Sequence, residues 1–101
     1  MLKIEYHPEA EEEVFQAFQW YREIDHEVAQ RFKLELDPAE RLVGRSPSSW
    51  SSYFHSTKGF RFKGFPFVLA YLDQEDRVVV VALAHTRRKP NYWRKRIKKR
   101  P

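Results

Sequence analysis

The chain has no cysteine, so disulfides and thiolate zinc sites are excluded. It has three glycines, and none of them builds a glycine-rich phosphate loop. Long apolar runs are missing too. No stretch approaches the roughly 18 residues of a membrane span, and the first residues lack the charged-then-apolar layout of a secretory signal. The expected compartment is the cytoplasm, with no membrane partner. His7, His26, His55 and His85 are too widely spaced for any two to share a helical turn, so there is no metal-binding motif. Serines cluster between positions 46 and 52, but without the strand–turn–helix setting of a nucleophile elbow. Neither metal nor cofactor is expected.

What is present is enough for one small domain, residues 1–101. Of these residues 42% are apolar and 16% aromatic, which fills a core and argues against a disordered tail. The charge is unevenly placed. Residues 1–43 hold 11 acids against 5 bases, whereas residues 44–101 hold 3 acids against 14 bases. Nine of those bases fall within residues 85–101, where there is no acid. Such a distribution suits an acidic partner, either protein or nucleic acid.

Leu2 to Tyr6 alternates apolar and polar residues, as a half-buried strand does. Pro8 then suits a first helical position, and Glu9, Glu11, Glu12 and Glu13 suit the positive end of a helix dipole on a solvated face. Ala10, Val14, Ala17, Phe18 and Tyr21 form a stripe of helical period. Asp25 is the expected N-cap of a second helix, whose stripe runs Val28, Phe32, Leu36, Ala39 and Val43. Pro38 is expected to kink or break that helix near Leu36–Asp37. Residues 44–52 read as a loop, and the period changes to two beyond Tyr53. Phe60 and Phe62 then share one face, with Arg61 and Lys63 on the other. Residues 67–72 and 78–84 are apolar on both faces, and residues 73–76 form the turn between them. Strands of that kind need a cover on each side, and the two helices supply only one. The expected fold is α+β: a strand, an αα-hairpin, then three strands in a mainly antiparallel sheet with helices on one face, and a basic C-terminal segment. Phe18, Tyr21, Phe32, Phe62, Leu69, Val80 and Leu83 are the expected core.

The chemistry-bearing residues are mainly cationic. Arg61 and Lys63 project from a strand, Arg87, Arg88 and Lys89 follow the valine-rich strand, and Arg94, Lys95, Arg96, Lys98, Lys99 and Arg100 end the chain. Guanidinium forks match phosphate oxygens, and Tyr92 and Trp93 add rings that can stack on bases. Trp93 reads equally well as a core plug, and Tyr92 as a lid on the sheet. His85, in the alternation Val79, Val81, Leu83, His85, shares a face with apolar residues. A buried, hydrogen-bonded role suits it, and acid–base chemistry is the alternative.

Taken together, this order of elements and the segment from His85 to Arg96 resemble the RelE/ParE superfamily of toxins from type II toxin–antitoxin modules. The resemblance includes Tyr6-His7-Pro8-Glu9-Ala10, Trp20-Tyr21-Arg22, Phe60-Arg61-Phe62 and Gly64-Phe65-Pro66-Phe67. Its most specific piece is His-x-x-Arg-x-Pro-x-x-Trp, at His85, Arg88, Pro90 and Trp93, and the ParE-like branch of plasmid stabilisation proteins is the most similar. The resemblance implies a growth-inhibiting toxin held inactive by a cognate acidic antitoxin draped over its sheet and helices. ParE toxins act on DNA gyrase, and the expected target-binding residues are Arg61, Lys63, Arg87, Arg88, Tyr92, Trp93, Arg94 and Arg96. The alternative is a ribosome-dependent mRNA endoribonuclease acting through Arg61, Lys63, Arg87, Tyr92 and His85. That branch carries an arginine where this chain has Pro66, and its catalytic tyrosine falls at Trp93, one residue from Tyr92.

Overall fold

A computed structural model describes residues 1–97. Lys3–Tyr6 forms β1, with Ile4 and Tyr6 turned onto the core. Helix α1, Pro8–Ile24, begins with proline at its first turn, and His7 Nδ1 accepts the Glu9 amide at 3.1 Å. Asp25 ends α1 and caps α2, His26–Arg45, by accepting the Glu27 amide at 2.8 Å. The inward stripe of α1 is Ala10, buried, with Val14, Ala17, Phe18 and Tyr21 half-buried. On α2, Ala29, Phe32, Leu36, Ala39 and Val43 are buried.

Pro38 does not break α2, which runs continuously through it. Proline removes one amide donor from the ladder. Phe32 and Leu36 before the proline and Ala39 and Val43 after it are nevertheless all anchored in the core, and that packing holds both halves in one helix. The helix also extends two residues past Val43, because Gly44 lies against the start of the chain. Its carbonyl accepts the Leu2 amide at 2.9 Å, and a Cβ there would meet the Leu2 carbonyl at 3.1 Å.

The sheet has five strands in the order β1-β5-β4-β3-β2, where β2 is Ser51–Ser52, β3 Lys58–Arg61, β4 Phe67–Asp73 and β5 Arg77–His85. Only β1, which pairs with β5, is parallel to its neighbour; the remaining pairings are antiparallel. The two-residue β2 lies inside the stretch expected to be a loop. It is too short to show a period of its own, and its pairing to Gly59 and Lys58 creates it. Phe32, Phe62, Leu69, Val80 and Leu83 are buried as expected, whereas Phe18 and Tyr21 are only half-buried at the margin of the same core.

A bulge between β4 and β5 changes which side chains share a face. Ala70 pairs with Ala82 but Tyr71 with Val80, so Val81 is the extra residue. The expected same-face series Val79, Val81, Leu83, His85 is split. Leu83 lies on the helix side, and Val79 and Val81 lie on the other. That other face is not left for a partner to cover. The chain covers it with its own 3₁₀ segment Pro90–Arg96, whose Trp93 is 0% exposed over Ala70, Val81, Ala82 and Ala84. Tyr53 stacks parallel to the indole at 6.1 Å, and His55 meets it edge-on at 5.1 Å. His55 (φ 60°) and Ser56 (φ 66°) take left-handed backbone in the tight turn that brings this ring in.

Candidate functional site

β3 ends where β4 begins and where β5 ends. Arg61 pairs with Val68, and Phe67 with His85, so the basic residues after β3 and after β5 share one end of the sheet. The two turns there are fixed by backbone bonds. Phe62 N–H donates to the Phe67 carbonyl at 2.9 Å, and Thr86 N–H to that of Pro66 at 2.9 Å. Glu35 of α2 adds a clamp, accepting the amides of Lys63 and Gly64 at 2.8 and 2.7 Å. A Cβ on Gly64 would crowd that carboxylate, so a larger residue there would displace the Glu35 side chain from the clamp.

Strand alternation places the cations on two faces. Arg61, opposite Val68, lies on the face of the 3₁₀ segment, and His85, opposite Phe67, lies on the helix side. Arg61 and Lys63, both exposed, line a concavity of about 540 Å³ with Trp50, Tyr53 and Val68. His85, Arg88 and Tyr92 instead meet across a second cleft of about 290 Å³, floored by Phe67 and Leu83 and walled by Trp20 of α1. Arg61 and Lys63 thus line a different concavity from His85 and Tyr92. Arg87, Lys89, Arg94 and Lys95 are exposed, and Lys98, Lys99 and Arg100 lie outside the described residues.

The second cleft lies where β5 runs past the end of β1. β1 pairs only as far as Val80, which leaves the backbone of residues 81–85 without a strand on that side. Side chains close this edge. Arg96 Nη1 donates to the Val81 carbonyl at 3.0 Å and Nη2 to Glu13 Oε2 at 2.8 Å, while Glu13 Oε1 accepts the Leu83 amide at 3.0 Å. The Arg96 side chain is only 7% exposed and that of Glu13 20%. Burial disfavours the guanidinium charge, but Glu13, and behind it Glu9 at 3.5 Å, hold its pKa above the ordinary value. Glu13 thus departs from the solvated face expected for the Glu11–Glu13 run. Arg96 and Trp93, both expected at a target surface, are committed to contacts within the chain.

The Arg88 guanidinium carbon lies over the Tyr92 ring, 3.5 Å from its centroid, with that of Arg96 at 5.4 Å. Burial is the main cause that raises the Tyr92 pKa, helped by Glu13 and opposed by Arg88 and Arg96, so the phenol stays protonated at neutral pH. His85 Nδ1 accepts the Arg87 amide at 3.1 Å, which leaves the proton of the neutral ring on Nε2. Phe67 meets the imidazole edge-on at 5.5 Å. Trp20, Glu13 and Glu35 are the participants that reasoning from sequence missed. Trp20 was legible only as part of a resemblance, and neither carboxylate carried a signal, since each acts on backbone far away in the chain. Among the described residues no three His, Asp or Glu side chains come together to hold a metal ion. No helix among the described residues is long and apolar enough to cross a membrane.

A helical hairpin on one face of this sheet, with the parallel β1 at its margin and a basic 3₁₀ segment behind, is the RelE/ParE toxin fold. The family model described as ParE toxin of type II toxin-antitoxin system, parDE, matches residues 4–90, and the chain belongs to that family. It is a type II toxin, and the family implies an antitoxin partner. No curated protein matches the chain. The family match ends at Pro90, so Tyr92 of the cleft, Trp93 over the second sheet face and Arg96 at the β5 edge lie beyond it.

Proposed function

We propose that this toxin arrests growth in the cytoplasm by poisoning DNA gyrase and that a cognate acidic antitoxin neutralises it. The match to the ParE toxin model over residues 4–90 is the observation that carries this reading. The geometry supports it in two ways. Arg61, Lys63, Arg87 and Arg88 are exposed at one end of the sheet, where a protein target can dock, with Arg94 on the neighbouring segment. Pro66 immediately precedes β4, Phe67–Asp73, and that strand, between these cations, offers no arginine of its own. A metal-free nuclease would lose one of the few charges available to its pentacoordinate phosphate, at a cost of about 10²–10³ in rate. The separation of Arg61 from His85 onto opposite faces further weakens the endoribonuclease alternative.

The test is a plasmid-cleavage assay with purified toxin and gyrase. Toxin should accumulate linear DNA, the doubly substituted Arg87→Ala/Arg88→Ala protein should not, and its fold should be unchanged because both residues are exposed after a strand end. Rapid cutting of ribosome-bound message, lost in Arg61→Ala, would overturn the gyrase reading. For the antitoxin, the basic half of the chain should steer association, so the on-rate should fall steeply with salt.

A further inference from the structure

We propose that the cleft between α1 and the end of β5 binds one unpaired nucleotide, its base stacked on Trp20 and its phosphate held by Arg88. The proposal goes beyond the gyrase reading and does not depend on it. Trp20 is 64% exposed, an unusual position for an indole, and it faces the cleft rather than the core. Arg88, which also lines the cleft, has its guanidinium carbon over the Tyr92 ring, 3.5 Å from the centroid. Among the described residues Arg88 makes no ion pair. The nearby carboxylate, Glu13, is engaged by Arg96 and the Leu83 amide, so it does not occupy the Arg88 guanidinium.

These groups match the parts of a nucleotide. A base presents a π-face to an indole, and a phosphate presents paired oxygens to a guanidinium fork. His85, with its neutral-ring proton on Nε2, adds a donor for a base edge or phosphate oxygen. A simple anion would leave the apolar floor of Phe67 and Leu83 unused. A paired base would have its faces covered by neighbours in the duplex, so the cleft selects single strands. DNA and RNA single strands share this chemistry, and the test separates them.

The experiment measures fluorescence anisotropy of labelled oligothymidine, oligouridine and duplex DNA of equal length with the full chain at low salt. Either single strand, or both, should bind at least about fivefold tighter than the duplex, and the stronger of the two identifies the source. Trp20→Ala should weaken single-strand binding by about fivefold or more, the range of one lost base–aromatic stack, while Trp20→Phe retains most of it. Lys33→Ala, which removes one positive charge from α2 outside the lining of the cleft, should change binding less than Trp20→Ala does. Thermal unfolding of Trp20→Ala should match the parent, since the indole is outside the core. Equal affinity for duplex and single strand, or unchanged binding by Trp20→Ala, would overturn the proposal. Gyrase poisoning is scored in a separate assay, so either reading can fail without the other.

Discussion

On the helix side of the sheet, Phe32, Leu36 and Val43 pack against Phe62, Phe67, Leu69, Tyr71, Val78 and Val80, whereas on the opposite side one indole, Trp93, rests on Ala70, Ala82 and Ala84. The first face is covered by two helices with their own caps and dipoles. The second is covered by a single short 3₁₀ segment, which no regular helical ladder supports. Small side chains on the second face are what allow so thin a cover to come close. The two covers are therefore expected to differ in cooperativity. The helix-side core should govern global unfolding, and the Trp93 cover should open by itself at lower cost. The candidate cleft lies where the two meet, at the unpaired stretch of β5, so it depends on both.

Truncating the large ring at the centre of each face tests that difference most severely. Phe32→Ala should lower global stability by about 3–5 kcal/mol, read by urea denaturation. Trp93→Ala removes a ring of comparable burial. Its loss should appear first as rapid tryptic cleavage within residues 88–97, under conditions where the helices remain protected. If both variants unfold in one transition with no early cleavage, the two faces form one cooperative unit and the comparison is broken. Arg96→Ala should come next. It strands the Glu13 carboxylate and the Val81 carbonyl at the β5 edge, at about 1–3 kcal/mol. A double-mutant cycle with Glu13→Gln should show strong coupling, and additivity would mean that the edge is closed by something else.

The smallest effect lies at high pH. Tyr71, which donates to the Pro47 carbonyl at 2.5 Å, has its pKa raised to about 12, chiefly by burial and then by Asp73. Tyr6, bonded to Glu40, is raised as well, burial again being the first cause. A tyrosine whose folded pKa exceeds its unfolded value contributes stability that is complete below pH about 10 and is lost as pH rises through about 12. Both phenols serve the helix-side face, so alkaline unfolding should begin there. Absorbance at 295 nm, followed with far-UV circular dichroism, should show these tyrosines ionising together with helix loss. Ionisation near pH 10 with the helices intact would contradict this order.

Much of the fold was legible in the chain because its signals are local. Pro8 and Asp25 place the helix starts, the 3.6-residue stripes place the hairpin, and runs such as Val78–Ala84 place strands without reference to anything distant. The basic residues near the sheet end were legible by composition, and the toxin family by the segment from His85 to Trp93. Position in space was not legible. Pro38 reads as a helix breaker, and only the burial of Phe32, Leu36, Ala39 and Val43 against the sheet keeps α2 whole. The bulge at Val81 follows from pairing with β4, and it alone separates Val79 and Val81 from Leu83 and His85. The roles of Glu13, Glu35 and Arg96 arise from bonds to backbone up to 70 residues away, which no local pattern encodes. The sequence by itself determined which segments become helix and strand and how charge divides along the chain, because propensity, capping and periodicity act over a few residues. The tertiary structure decided which cations share a cleft, which are consumed in holding the edge of β5, and that Trp93 covers the chain's own sheet, because those outcomes depend on strand register and on contacts between residues distant in the chain.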